Sequence, residues 1–320
     1  MGNPLVTIVI PVYNGARFLR EAVESALGQT YRPVEIVAVD DGSTDDSAAI
    51  LAGYGGRITV VHQANAGVAA ARNRGIAAGR GPWVAFLDQD DLWDPRKLET
   101  QLLGTREGDD VIHCNARVID EAGNVVADSR SKPQRKAPPG LANIIAYRPM
   151  CMCTVLVRRD ALLSVEGFDS ANRFGTDDWQ LWLALAATGR RFRYVDQVLA
   201  SYRVHGSNVS SDWRRMMAGN DYALGIIRSQ YPRAFDAEAE RACRRRRQLS
   251  YLNVAWEHYE AKDYAQAAHY YWIAARENPY ALRPWFYAAV CRLPLRQLLL
   301  PRLRALASVI RRGLPQPYKW

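Results

Sequence analysis

What most constrains this chain is a rhythm in its first 90 residues. Short apolar, β-branched runs alternate with stretches whose apolar residues recur every three or four positions. The runs at 6–12 (VTIVIPV), 34–39 (VEIVAV), 58–61 and 83–87 (WVAFL) read as strands, and 17–27, 45–52 and 67–78 read as helices. Strand, helix, strand at this spacing demands right-handed crossovers, hence a mostly parallel sheet flanked by helices. Such sheets take ligands at the carboxyl ends of their strands. Those ends carry Tyr13 and Asn14, Asp40 and Asp41, and Asp88-Gln89-Asp90-Asp91, so several acids collect at one rim.

The pattern loosens after a helix at 97–103. Strands are expected at 111–119, 125–126, 152–157, 192–195 and 198–204, and a helix at 176–187. The polar, basic, Pro-rich stretch 129–140 reads as a mobile loop or lid near the site. These elements make an α/β domain over 1–210 and leave 211–320 as an all-helical region. Within that region 251–277 resembles one tetratricopeptide-type hairpin turning at Lys262-Asp263-Tyr264. Repeat arrays need about three units, so this one reads as a packing hairpin.

A composition of 48% hydrophobic and 23% charged residues excludes disordered and multi-span membrane chains. The net charge of +9 is unevenly placed: from Arg241 onward there are 15 Lys/Arg against 4 Asp/Glu. That tail points to an anionic surface, membrane or nucleic acid. The run Arg244–Arg247 comes with no nucleic-acid recognition motif, so a solvated face or lipid headgroups suit it better, and no nucleic-acid partner is expected. Residues 293–312 read as an amphipathic helix, either lying on an anionic bilayer or docked on the body. The five cysteines have no metal-site spacing and read as buried thiols of a reducing cytosol. The start of the chain lacks signal-peptide character, and no apolar stretch approaches the ~18 residues of a spanning helix.

Six segments carry chemistry. In Phe86-Leu87-Asp88-Gln89-Asp90-Asp91 an apolar strand ends in three carboxylates, which repel unless a cation sits among them. With no Lys or Arg in the run, they invite Mg²⁺ or Mn²⁺. Helix capping accounts for Asp94 but not for the triplet. Asp41, in Asp40-Asp41-Gly42-Ser43-Thr44, can accept from a base N–H or a ribose hydroxyl. Tyr13, in Pro11-Val12-Tyr13-Asn14-Gly15, can stack on a nucleobase, and the usual dinucleotide glycine pattern is missing there. Gly67 opens a helix bearing Arg72 and Arg74, either of which can reach a diphosphate or simply face solvent. Asp177 and Asp178 open another helix, as favourable N-terminal charge or with one acting as a general base. His205, at a strand end before Gly206, is a candidate metal ligand or phosphate contact.

In this order and spacing, PVYNG, VDDGSTDDS, NAGVAAARNRG, FLDQDDLW, TDDWQLW and YRVHGSN resemble the family 2 glycosyltransferases of the GT-A fold, over about residues 4–210. The resemblance implies an inverting transferase using a nucleotide-diphospho-sugar, by default a UDP-sugar. It implies that Pro11, Tyr13, Asn14, Asp41, Arg72 and Asp88 surround the donor. Asp90, with His205, would hold a divalent metal (Mn²⁺ or Mg²⁺), and Asp178 would be the base. Asp177, where the family has Glu, and Trp179 would lie on the acceptor side. The Q-x-x-R-W motif of processive synthases is absent, which implies single additions. The expected setting is bacterial surface-polysaccharide or lipopolysaccharide synthesis in the cytoplasm, with a glycan or lipid-linked acceptor and the basic tail on the inner membrane face. Two alternatives stay open: a sugar-nucleotide nucleotidyltransferase, which should carry a Gly-rich basic loop after the first strand, and an inactive binding module, which would not need acids at both Asp90 and Asp178.

Overall fold

A computed structural model describes residues 2–128, 140–147, 150–206 and 212–293. The loop expected at 129–140, save Gly140, and the amphipathic helix expected at 293–312, save Leu293, lie outside the described residues. The chain divides into two compact units, Met1–Ala234 and Phe235–Trp320.

The first unit is built on β1 (Val6–Val12), β2 (Val34–Asp40), β3 (Thr59–His62), β4 (Trp83–Phe86), β5 (Leu92–Trp93), β6 (Val111–Ile119), β7 (Val125–Ala127), β8 (Val155–Arg158) and β9 (Phe192–Arg203). They form one sheet of order β3-β2-β1-β4-β8-β6-β9-β5, with β7 beside β6. The first four strands run parallel, as the alternating pattern requires. The other half is mixed: β8 is antiparallel to β4 and β6, and β9 is parallel to β6. Every residue of β1 is buried, as befits a central strand covered on both faces.

Helices α1 (Leu19–Leu27), α2 (Ser47–Ala52), α3 (Val68–Ala78) and α4 (Lys97–Leu103) fall where the periodicity puts them. Gly75 lets α3 lie close on β1, because a Cβ there would come within 2.3 Å of the Val9 side chain. Further along come α5 (Leu141–Tyr147), α6 (Arg159–Ser164), α7 (Asp177–Ala187) and α8 (Trp213–Gln230). The stretch 152–157 is not all strand. Met152–Thr154 makes a 3₁₀ turn in which the Thr154 amide and hydroxyl both donate to the Cys151 carbonyl. The two strands expected at 192–204 are one, with its register against β6 shifting at Asn115. No disulfide occurs among the described residues.

Lys97 is a buried cation in this core. Its Nζ donates to Gln101 Oε1 at 2.9 Å and lies 4.1 Å from the centre of the Trp93 ring. Burial pushes its ammonium down to about 8. The unfolded chain keeps this proton up to about 10.4, so stability should rise between those two pH values and carry the whole penalty below them. The stability of Lys97→Met relative to wild type should therefore be higher near pH 7 than near pH 10.5, by on the order of 1–3 kcal/mol. Urea titrations at the two pH values check this, and a relative stability independent of pH would contradict this account.

The second unit contains α9 (Ala237–Glu260), α10 (Tyr264–Glu277) and α11 (Leu282–Val290). Between α9 and α10 the chain turns back: Lys262 takes φ +63° at the turn, and Asp263 Oδ1 accepts from the Gln266 amide to cap α10. Ala255, Tyr259, Ala267, Ala268 and Tyr271 form its core with Ala288 and Val290 of α11. The run Arg244–Arg247 splits by helical phase: Arg244 and Arg245 are exposed, Arg246 is buried, and Arg247 pairs with Glu277 at 3.0 Å. No described helix is long and apolar enough to cross a membrane.

Candidate active site

In the order β3-β2-β1-β4 the chain builds outward from β1 in one direction and then returns to its other side. The connections leaving β1 and β4 therefore diverge, which opens a crevice at their carboxyl ends. Tyr13 and Asp88 stand at that crevice. Gln89 joins the two loops: its Oε1 accepts from the Tyr13 amide at 2.8 Å, and its Nε2 donates to the Tyr13 carbonyl at 3.0 Å. Tyr13 is thus presented with about half of its surface exposed. Pro11 is buried within β1. Asn14, at φ +49°, accepts from the Thr44 amide at 2.8 Å and so ties the first strand-end loop to the second.

Asp41 is almost fully buried, and its carboxylate accepts from the Gln63 side chain and from the amides of Ala66 and Gly67, at 2.7–2.8 Å. It holds the loop that enters α3. Gly67 is needed there because its φ is +92°.

Arg72 on α3 is the hub. Its two terminal nitrogens donate to Asp88 Oδ1 at 2.7 Å and to Asp177 Oδ2 at 2.6 Å. Burial disfavours this charge, yet Asp88, Asp177 and Asp178 outweigh burial and raise the guanidinium above its ordinary value. Its Nε is buried without a hydrogen-bond partner, and its flat face lies 5.4 Å from the centre of the Phe168 ring. Burial raises the Asp177 carboxyl against the pull of Arg72. Asp178 is half-buried at the second position of α7, with Oδ1 accepting from the Trp179 amide at 2.6 Å.

At the same rim His205 Nε2 lies 2.8 Å from Asp90 Oδ2. Burial and the Asp88 charge raise the Asp90 carboxyl, against His205. Burial, then Asp90 and Asp88, push Asp91 further up. Asp91 Oδ1 accepts from the Arg203 amide at 2.9 Å. Arg203 is fully buried, donates to the Asp90 carbonyl, the Glu121 carbonyl and Glu21 Oε2, and stacks on Phe18. The Asp90 carboxylate is a hard oxygen donor of the kind that suits Mn²⁺ or Mg²⁺, and the His205 imidazole beside it is a donor of borderline character. Among the described residues no ready-made cage of three or more His, Cys, Asp or Glu occurs.

The structure brings Tyr13, Asp41, Arg72, Asp88, Asp90, Asp177, Asp178 and His205 to one end of the sheet, and it gives several of them partners within the protein. The acids are not without a compensating cation, since Arg72 pairs with Asp88 at 2.7 Å. Arg72 is spent on Asp88 and Asp177 rather than turned toward a diphosphate. Asp177, expected on the acceptor side, is 2% exposed and accepts from Arg72. Trp179 is 1% exposed, its indole N–H donating to the Ile144 carbonyl of α5, so it anchors α7 instead. Asn14 links loops. The sequence reading gives no role to Gln89 or Arg203, although they lie inside the segments FLDQDDLW and YRVHGSN.

Residues 7–162 match the family model of Glycosyl transferase family 2. An uncharacterized glycosyltransferase of Rickettsia typhi is 33% identical over 219 residues, 65% of this chain and 67% of that protein. YibD of Escherichia coli, also an uncharacterized glycosyltransferase, is 42% identical over 64% of this chain and 63% of that protein. The chain spans only 35% of a further such relative from Rickettsia felis. Among solved structures, the mannosyltransferase PcManGT of Pyrobaculum calidifontis in complex with GDP-Man and Mn²⁺ superposes with TM-score 0.61 at 18% identity, covering 96% of this chain and 81% of that one. S. aureus TarS in complex with UDP gives 0.54 at 19% identity, covering 82% and 88%. The class defined by fold and homology is a glycosyltransferase with the GT-A architecture. The chain belongs to glycosyl transferase family 2.

Proposed function

We propose that this protein transfers one sugar from a nucleoside-diphospho-sugar to a hydroxyl of a glycan or lipid-linked acceptor, with inversion. The observation that carries this reading is the bridge from Asp88 through Arg72 to Asp177. It couples the strand end suited to a donor with the first turn of α7, where Asp178 stands. Tyr13, positioned by Gln89, offers a face for the base. Asp178 accepts the proton of the acceptor hydroxyl as that oxygen bonds to the anomeric carbon. The bond from that carbon to the phosphate oxygen breaks on the opposite side, and the nucleoside diphosphate leaves with its electron pair. One displacement inverts the configuration, and one base suffices. Asp90 with His205 would hold a divalent cation, which when bound supplies charge neutralisation for the diphosphate. UDP is the first nucleotide to test, and the setting we propose is cell-envelope glycan synthesis, with the basic tail against the inner membrane surface.

The test is a thermal shift with a panel of nucleotide sugars. One donor class should stabilise the wild type only with Mn²⁺, by about 2.7 kcal/mol at a hundredfold excess over Kd. Asp90→Ala should abolish that stabilisation. A well-folded protein that no donor stabilises, with or without Mn²⁺, would overturn the transferase reading.

A further inference from the structure

Helix α11 has one face in the core of its unit and another that is apolar where a solvent-facing row is ordinarily polar. Pro284, Ala288 and Val290 are buried. Leu282, Trp285, Phe286 and Ala289 are exposed, and Leu293 continues the row just past the helix end. Spacings of three, four, seven and eleven from Leu282 place them in one stripe. Leu282 is 78% exposed and Phe286 48%, while Tyr280, two residues before the helix, is 94% exposed. The indole N–H of Trp285 donates to the Pro279 carbonyl at 3.1 Å, so its ring is presented with its polar atom already satisfied. Arg283 and Arg292 are exposed, and helical phase puts them on opposite flanks of the stripe. No Asp or Glu follows Glu277 in the sequence, whereas eight Lys or Arg do.

We infer that this face of α11 seats on an anionic phospholipid surface. Leu282, Trp285 and Phe286 enter the boundary between headgroups and acyl chains, and Arg283 and Arg292 reach the lipid phosphates. Aromatic side chains favour that boundary, and arginine stems can lie along apolar surface while their heads remain in the polar layer. A helix of this kind binds through buried apolar area together with attraction to anionic lipid. Charge decides against the other occupants. A second copy would set the same basic flanks against each other, and residues 294–320 bring six more Lys or Arg and no acid. This deepens the membrane part of the proposed function and rests on it, while assigning the contact to a described helix rather than to the tail.

The test is co-sedimentation of the full chain with phosphatidylcholine vesicles, with and without phosphatidylglycerol. Wild type should bind only the anionic vesicles, and salt should weaken the binding. Leu282→Ser/Trp285→Ser/Phe286→Ser should lose tenfold or more in affinity; these side chains are exposed, so circular dichroism should be unchanged. A second variant, Arg302→Gln/Arg304→Gln/Arg311→Gln/Arg312→Gln, separates the tail. If the α11 variant binds as wild type does while the tail variant fails, the α11 assignment falls and the membrane reading stands. If wild type ignores anionic vesicles, both fall. If the α11 variant instead converts a dimer to a monomer, the face is a subunit interface and the lipid proposal is wrong.

Discussion

Asp178→Asn is expected to lower kcat by about 10²–10⁴-fold, the usual contribution of a positioned general base, with donor affinity nearly unchanged. Asparagine keeps the shape and can still accept from the Trp179 amide, as Asp178 does at 2.6 Å. It cannot take a proton at neutral pH. The donor side should not register the change, because Asp88 and Asp177 stay tied to Arg72 whichever residue stands at the next position of α7. Initial rates give kcat, and the donor-dependent thermal shift gives affinity independently. A variant that retains more than a tenth of wild-type kcat would move the base elsewhere. One that loses donor binding as well would make Asp178 a structural residue of the pocket.

The second large effect concerns stability. Arg72→Met should cost about 3–5 kcal/mol, the penalty for stripping a buried charge of its partner. Asp177 has almost no solvent to replace the guanidinium, and Asp88 loses its contact at 2.7 Å. Arg72→Lys should recover part of this at most, because one ammonium cannot reproduce a planar fork reaching two carboxylates. Adding Asp177→Asn to Arg72→Met should restore part of that stability, since the more deeply buried of the two uncompensated charges is then gone, and the pair should be strongly non-additive. Urea midpoints of wild type, Arg72→Met, Asp177→Asn and the double variant close the cycle. If Arg72→Met unfolds within 1 kcal/mol of wild type (about one order-of-magnitude step in equilibrium constant is 1.4 kcal/mol), the bridge is not what joins β4 to α7.

How far the sequence could be read follows the range of the forces involved. The parallel β1–β4 array and α1–α4 were legible because hydrophobic periodicity is local, and both strands and helices write their period into consecutive residues. Helix α5 was missed; it is seven residues long and shows its purpose only in its packing with α7, where its Ile144 carbonyl receives Trp179. The two-residue β5 exists because β9 pairs with it, at Leu92 with Ser201 and Trp93 with Ala200. The stretch 152–154 looks like a strand by composition, but the Thr154 hydroxyl and amide both turn back to the Cys151 carbonyl.

By itself, then, the sequence determined that acids and a phenol would meet at the carboxyl end of a parallel sheet, because that end follows from the order of strands and turns. It also determined the chain's charge asymmetry. Only the tertiary structure decided what each group does there. Arg72 reaches Asp177 across 105 positions of sequence, His205 reaches Asp90 across 115, and Arg203 reaches Asp91 across 112. Pairings of that span leave no periodic trace. They are selected when folding removes water from charged groups and leaves them only one another as partners.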